Sequence, residues 1–577
     1  MDIVAYPDGH NEAVTTDDSY LRPGNQPALI LRRSGRIGRF TQAYRSVLES
    51  GASDEIEEDP LSYREALSQT RSASWKVAMG AEFRSLLKNR IWTYCSMVPD
   101  GAHLISCKWV YILKTNPDGS CRFKARLVIR GFEQTEFGET FAPVAKLVSL
   151  RMIIALSSLR GWEIDHMDVV TAFLNPPVYD NIYMCLPEGI ESLDPTKPTT
   201  ATVCKLNKAL YGLKEAPRLW YNHIDEFLLS IGFRKSENDP NLYQLIDGEL
   251  VLLLYIDDLL IAAKSRRRIY QVKQLLHNRY KMNDLGSARQ FLGLEIDQLP
   301  DGRFLLNQAR FVMKVLRCSC MENCNGVCTP METGQKLLPA EETDEMVEPR
   351  EYQSLVGSLM SLAIGTRPDI TFAISTLSKL NARPETKHLL PVKRVLRYLR
   401  QTTTLSLIYH RTQNSALVGF TDSDFAGDLD DRKSTSGYVF TLASGAVSWK
   451  SKKQSLVSLS STEAEYVGCS EAAREAIWLR RLYHEITKDQ LKSTIPAIQL
   501  LLSDSQGAIS LAQAPRVSDR TKHIDIKYYF VRDTCANGLV RLGFISTAEM
   551  TPDVMTKALP HDAHQKHIRG MGLTELS

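Results

Sequence analysis

Residues 250–263, "LVLLLYIDDLLIAA", set two adjacent carboxylates, Asp257 and Asp258, in the middle of an apolar run. A carboxylate buried as an ion without a partner is strongly destabilising, so each acid needs a cation, a hydrogen-bond donor or a route to water. Two readings meet that need. In one, the pair is a plain hairpin turn with both acids facing solvent, because Asp is common in turns. In the other, the acids sit at a strand–turn–strand tip and hold a metal, which requires further carboxylates from elsewhere.

Upstream lies "WEIDHMDVVTAFLN", residues 162–175. Its alternation puts Ile164, His166, Asp168 and Val170 on one face of a strand, with Asp165 close by. A strand carrying Asp168 beside the turn at Asp257 would join carboxylates from separated segments. Such a set can hold two Mg²⁺ ions about 3.5–4 Å apart, the arrangement used for phosphoryl transfer. Hard oxygen ligands favour Mg²⁺ over softer metals. Spacing alone does not fix the pairing of these segments.

A second group of acids lies near the C-terminus. "GFTDSDFAGD" supplies Asp422 on a strand, and "SSTEAEYVG" supplies Glu463 and Glu465 at a helix start. "LLLSDSQGAISLA" supplies Asp504 at a strand end, and "FISTAEMTPDVMTKAL" supplies Asp553 at a helix start. Four acids from four segments suit a two-metal nuclease. Each alone is ordinary, since Asp at strand ends and Glu in first helical turns are common.

The chain has 577 residues, too many for one core and enough for roughly three or four domains. Its 43% hydrophobic and 24% charged residues are usual for a globular protein, and a net charge of +3 says little about partners. Eleven cysteines in no even framework fit a reducing compartment. Cys318, Cys320, Cys324 and Cys328 crowd too closely for an ordinary zinc knuckle and read as reduced thiols. The start lacks a basic-then-apolar signal peptide, and the longest apolar run, residues 250–263, is too short and too acidic to span a bilayer. The expectation is a soluble intracellular protein without a membrane partner.

Residues 1–70 read as a disordered tail, with a basic knot "LRRSGRIGR" followed by the acidic "DEIEED". A helical pattern opens at "SWKVAMGAEFRSLLKNRIW", and two β-rich runs around Asn-Pro-Asp-Gly read as a hairpin. Helical and strand patterns alternate to about residue 310. An acidic, Pro-containing linker, a basic helical stretch and a new β-rich unit near residue 415 follow. No internal repeat is visible.

In order along the chain stand "KARLVIRGFEQ", "ETFAPVAKLVSLR", "MDVVTAFLN", "IYMCLPEG", "LYGLKEAPRLWY", "YIDD" and "FLGLEI". The set resembles the reverse transcriptase of copia-type long-terminal-repeat retrotransposons, part of their Pol polyprotein. "DRKSTSGYVF", "SWKSKKQSLVSLSSTEAEY", "RTKHIDIKYYFVRD" and "MTKALP" resemble the ribonuclease H portion of the same polyproteins. The basic knot resembles the junction that follows integrase.

The resemblance implies an α+β multidomain fold: a right-hand polymerase of fingers, palm and thumb, a helical connection, and a ribonuclease H-like α/β domain. The implied boundaries are a tail to 70, fingers, palm and the start of the thumb over 71–320, linker and thumb or connection over 321–414, ribonuclease H over 415–560, and a C-terminal tail over 561–577. It makes Asp168 and Asp257 the polymerase metal ligands, with Asp258 completing the triad. Lys124 and Arg126 would bind the incoming triphosphate, Phe173 would gate the sugar against a 2′-OH, and Gly212 and Pro217 would pack on the nascent base pair. Lys281 would be a proton donor to pyrophosphate, and residues 291–296 the primer grip. In the nuclease, Asp422, Glu465, Asp504 and Asp553 would bind metal, with Glu463 and Asp525 as runners-up. Lys452, Lys453, Lys522 and His523 would contact the hybrid.

The implied activity is RNA-directed DNA synthesis with ribonuclease H cleavage. It would use two Mg²⁺ per site (Mn²⁺ as substitute), an RNA template, a DNA primer, RNA–DNA hybrid and dNTPs. Integrase and capsid of the same element are the implied protein partners, and cytoplasmic virus-like particles with nuclear entry the implied location. The alternative is an inactive nucleic-acid-binding remnant of a decayed element. Favouring it, only "TEFG" separates "GFEQ" from "ETFAPV", shorter than the family pattern; "NPPVYDN" replaces an Asn-Gly turn, Pro552 replaces Ala, and Ile256 replaces Val. No proposed metal ligand is missing.

Overall fold

The computed structural model describes residues 59–115, 121–135, 137–335, 337, 346–412, 416–487, 499–513 and 525–575. The basic knot, Lys522 and His523 lie outside them.

The first core forms around the helix Ser72–Lys88. Trp75, Met79, Phe83 and Leu86, at helical spacing, are its buried face. That face packs on the hairpin Cys107–Thr115/Cys121–Ile129, where Ala125, Leu127 and Ile129 alternate inward. A four-stranded sheet, in the order 92–95, 203–206, 182–185 and 103–105, shares this core. The expected tail over 1–70 needs correction at its end. Tyr63–Ser68 is helical, capped by the Ser62 side chain, with Ala66 fully buried in this core.

The second core is built on a six-stranded antiparallel sheet, in the order 282–287, 163–169, 258–263, 250–255, 242–245 and 233–235. All six residues of Leu250–Tyr255 are buried, a gross stabilisation on the order of 10 kcal/mol before chain entropy is counted. Such a run cannot be an edge strand, and it lies inside the sheet. Met167, Val169, Leu252, Leu254, Leu259 and Ile261 face the helices Ala216–Ser230 and Arg266–Arg279.

The helix Leu147–Arg160 is buried on almost every side, as an apolar helix enclosed by protein must be. Its Arg151 reaches the C-terminal half, donating from Nε to the Val447 carbonyl at 2.8 Å and from Nη1 to the Ile364 and Gly365 carbonyls at 2.8 and 2.9 Å. A second tie joins the loop 236–241 to the helix Ser461–Thr487, where the Glu485 carboxylate accepts from Ser236 Oγ at 2.6 Å and Asn238 Nδ2 at 2.7 Å.

Helices 309–318, 349–365, 371–378 and 386–401 enclose a third core around Leu316, Val356, Leu359, Ile374 and Leu396. Within it Arg367 and Asp369, both about 1% exposed, form an ion pair at 2.7 Å closed by the Tyr398 hydroxyl. Of the expected tail over 561–577, residues 561–575 are corrected from tail to structure. His561–Gly570 is a helix, and Leu573–Thr574 pairs with Ser406–Tyr409 at the edge of a sheet that also holds 304–307, 294–298 and 290–291. Buried Ile568 and Leu573 supply the apolar contacts.

The last sheet has the order 445–453, 435–442, 418–423, 499–503, 540–544. Its first three strands are antiparallel and its last two run parallel to 418–423. The helix Ser461–Thr487 packs across it. Among the described residues no helix is long and apolar enough to cross a membrane.

Candidate active sites

The first site lies at the end of the six-stranded sheet. Tyr255 pairs with Asp258 across a two-residue turn, Ile256–Asp257, and Asp258 pairs in turn with Asp168 on the next strand. Ile256 has φ +57°, costly for a β-branched residue. Its carbonyl is held by Trp220 Nε1 at 2.6 Å, and the Asp257 carbonyl by the Val169 amide at 2.8 Å. The turn is thus fixed from the helix side and from the strand that carries Asp168.

Asp258 Oδ1 lies 2.8 Å from His166 Nε2, two residues before Asp168 on the same strand face. Asp168 Oδ2 accepts from Asn283 Nδ2 at 2.9 Å. Asp257 is the least compensated acid: burial first, then the charge of Asp258, pushes it up to about 6. Carboxylates on the turn and on the neighbouring strand fit a hard divalent cation. In this conformation the three acids do not converge to within 4.8 Å, because Asp258 and Asp168 are turned to His166 and Asn283. Asp165, the ambiguous neighbour, belongs elsewhere: it is buried, 2.5 Å from Lys273 Nζ and 2.7 Å from Arg266 Nη1.

The hairpin carries Lys124 and Arg126 on one strand. Arg126 lies 4.9 Å over the Tyr211 ring, and its buried Nε has no hydrogen-bond partner among the described residues, a donor suited to an anion. Glu82 stands near both cations, and burial pushes its carboxyl up to about 7 against their opposing charge. Phe173 follows a left-handed Thr171, φ +59°, in a short turn and packs partly on both cores. Gly212 has φ +92°, and a Cβ there would stand 2.1 Å from the Ile129 carbonyl oxygen, so only glycine fits. Pro217 lies in the first turn of the helix Ala216–Ser230, a place that needs no amide donor. Lys281 is exposed just before the edge strand 282–287, and residues 291–296 turn as a hairpin through Leu292 and Gly293.

The second site lies on the C-terminal sheet. Ligand oxygens of Asp422, Glu465 and Asp504 lie within 4.8 Å of one another, the one such group among the described residues. Burial, then the charge of Asp553, pushes Asp422 up to about 6; burial, then Asp422, pushes Glu465 up to about 9. Glu465 Oε2 is buried with no hydrogen-bond partner among the described residues. Such a set of mutually repelling oxygens fits divalent cations.

Asp553 stands beside it, paired with Lys557 Nζ at 3.0 Å, and Thr556 Oγ1 donates to Asp422. Asp504 accepts from Thr547 Oγ1 at 2.8 Å. Glu463 caps its own helix, accepting from the Leu459 amide at 2.7 Å while its own amide donates to Ser460 Oγ at 3.2 Å. Lys453 is paired with Asp428 at 3.1 Å and Asp431 at 3.0 Å, so a phosphate there must displace those acids. Lys452 lies on the same strand, opposite Ser436. Asp525 opens the helix Asp525–Ala536. The four crowded cysteines are free thiols and join no metal-ligating group among the described residues.

Sequence reasoning gave no role to His166, Asn283, Glu82, Tyr211 or Lys557. His166 and Lys557 had a readable signal, sharing a strand face with Asp168 and a helix face with Asp553. Asn283, Glu82 and Tyr211 reach their sites only through tertiary packing.

The family model for reverse transcriptase (RNA-dependent DNA polymerase) matches residues 89–333. The chain is 39% identical over 559 residues to the retrovirus-related Pol polyprotein from transposon TNT 1-94 of Nicotiana tabacum, covering 94% of this chain and 41% of that polyprotein. It is 36% identical over 519 residues to the Pol polyprotein from transposon RE1 of Arabidopsis thaliana, covering 89% and 35%. It is also 37% identical over 312 residues to the transposon Ty5-1 protein YCL074W of Saccharomyces cerevisiae, covering 54% of this chain and 100% of that protein. The chain spans well under half the length of the two Pol polyproteins. With the ordered motifs on a sheet that sets Asp168 against Asp258, these likenesses place the chain in the copia-type retrotransposon Pol family, with a reverse transcriptase domain.

Proposed function

We propose that this chain is an RNA-directed DNA polymerase joined to a ribonuclease H, copying element RNA into DNA and degrading the RNA of the hybrid. The carrying observation is the pairing of Asp168 with Asp258 across adjacent strands, beside Asp257 in a fixed turn. The six-stranded sheet is then the palm, the hairpin with Lys124 and Arg126 the fingers, and the helical block the thumb and connection. The C-terminal sheet, three antiparallel strands followed by two parallel ones, is the ribonuclease H-like domain.

Asp168 and Asp257 would hold Mg²⁺ in the polymerase, and Asp422, Glu465, Asp504 and Asp553 in the nuclease. Bound there, Mg²⁺ would lower the pKa of the attacking hydroxyl or water and offset charge on the leaving group. The chain's own groups do the rest. His166 orients Asp258, and Arg126 with Lys124 holds the triphosphate. The Phe173 ring fills the space a ribose 2′-OH would need, and Lys281 is placed at the exposed edge to protonate pyrophosphate. Phosphate contacts should dominate affinity and make it salt-dependent, and the hybrid should be read by shape and 2′-OH contacts.

Primer extension on an RNA template with Mg²⁺, beside Asp257→Asn, tests the polymerase. Cleavage of a labelled RNA–DNA hybrid, beside Asp504→Asn, tests the nuclease. Activity lost in each matching variant supports the proposal. A folded protein silent in both assays is the decayed remnant.

A further inference from the structure

Tyr211 stands between two groups that the polymerase reading uses separately. The Phe173 ring meets its ring edge-to-face, with centroids 5.9 Å apart at 89°. The Arg126 guanidinium lies 4.9 Å from the centroid of the same ring. Both are favourable geometries, edge-to-face for rings and face-on for a cation. One phenol therefore touches the proposed sugar gate and the proposed triphosphate cation.

The backbone of Tyr211 is fixed to the strand that carries the cation. Its carbonyl accepts from the Ile129 amide at 2.8 Å, three residues along from Arg126. The next residue, Gly212, packs so closely that a Cβ would meet the Ile129 oxygen at 2.1 Å, and a Cβ on Gly131 would meet the Gly212 oxygen at 2.1 Å. Tyr211 cannot shift without moving the fingers strand. Phe173 also packs partly on both cores. The Tyr211 hydroxyl, pushed up to about 12 chiefly by burial, remains a donor at neutral pH.

A gate excludes ribose only while its wall stays in place. A side chain can leave its rotamer well by about 30° at modest cost, so an unsupported Phe173 ring could yield to a 2′-OH. An edge-to-face partner raises that cost.

We propose that Tyr211 is a specificity-determining positioning residue, a backstop that pins the Phe173 ring and ties its position to the strand bearing Arg126. The inference rests on the polymerase reading. It assigns to Tyr211 discrimination against ribonucleotides and not the chemistry itself.

The test compares wild type, Tyr211→Phe and Tyr211→Ala as the full chain. One measurement is the ratio of kcat/KM for a dNTP to that for the matching rNTP in single-nucleotide extension. The other is trapping of the next dNTP or rNTP on a dideoxy-terminated primer–template, which needs no chemistry. Tyr211→Phe, which keeps the ring, should hold the ratio near wild type. Tyr211→Ala should lower it by up to ~10-fold, chiefly by admitting rNTPs.

A wild type that extends primers while Tyr211→Ala keeps its dNTP-to-rNTP ratio would overturn the proposal and leave the polymerase reading standing. A wild type that neither extends nor traps dNTP would overturn both. If Tyr211→Ala is poorly folded, Tyr211→Leu supplies bulk without a ring face, and an unchanged ratio in it counts equally against the proposal.

Discussion

The guanidinium of Arg151 lies 3.9 Å from the centroid of the Trp449 ring, joining the helix Leu147–Arg160 of the polymerase half to the strand Gly445–Lys453 of the C-terminal sheet. Arg151 is fully enclosed, and burial lowers its pKa to about 10, so it stays charged. Three carbonyls and one aromatic face compensate that charge directly, and the charge of Glu475 adds to them without an ion-pair contact. Arg151→Met keeps much of the volume but orphans those carbonyls, and should destabilise the protein by about 3 kcal/mol or more. The urea midpoint measures this. An unchanged midpoint would mean the two halves do not depend on this tie.

The acids of the proposed nuclease site make a second prediction, with a definite sign. Raised folded-state pKa values, to about 6 for Asp422 and about 9 for Glu465, mean the fold binds more protons than the unfolded chain. Their contribution to metal-free stability is therefore fully present below the ordinary carboxylate range. It is lost as pH rises, through about 6 for Asp422 and about 9 for Glu465. Buried His564 and His567, whose pKa values burial lowers, act oppositely, losing their contribution as pH falls below the ordinary imidazole range. The clean observable is thus a difference between proteins. Without metal, Asp422→Asn should be more stable than wild type at pH 8 by about 1–3 kcal/mol, and the gap should close toward pH 4. Mg²⁺ should raise the wild-type Tm more at pH 8 than at pH 5. A pH-independent gap would place the effect outside this carboxylate.

These sites also show how far the chain can be read without coordinates. Asp168, Asp257 and Asp258 stand out because acids break an apolar pattern, and burial makes that exception expensive. Their pairing across strands was expected only as a conjecture, since register depends on the whole sheet. Glu465 over Glu463 was legible through the family pattern, while the cap that engages Glu463 depends on local geometry. Residues 561–575 misled because their helix is short and mostly polar, and Leu573 gains its strand only by pairing with Leu407, far away in sequence. Tyr211 was invisible as more than a core aromatic, because its contacts with Phe173 and Arg126 join segments that only folding brings together.

Asp165 and Asp168 share a strand but face different partners, which separates their roles. Asp165 is 4% exposed and bonded to Lys273, itself buried, and to Arg266. Asp165→Asn leaves a buried ammonium with Asp284 as its remaining acid, and should cost about 3–5 kcal/mol. Extension per folded molecule should stay near wild type. Asp168→Asn should do the reverse, abolishing extension with little loss of stability. Extension lost in Asp165→Asn at full folding would move Asp165 into the metal site.

His166 holds Asp258 at 2.8 Å with its ring edge-on to Phe291, whose centroid is 5.3 Å away. The imidazole is therefore fixed on one side by an apolar wall and on the other by the carboxylate it orients. Partners that orient a carboxylate near a metal typically change metal affinity ~10–100-fold when removed. His166→Ala should raise the Mg²⁺ concentration for half-maximal extension by ~10-fold, with a smaller change in the rate at saturating Mg²⁺. His166→Gln, which keeps a donor of similar reach, should recover most of the difference. The Mg²⁺ titration separates this from a packing defect, because a loosened core lowers activity at every Mg²⁺ concentration. An unchanged midpoint in His166→Ala would leave Asp258 positioned by its strand pairing with Asp168 alone.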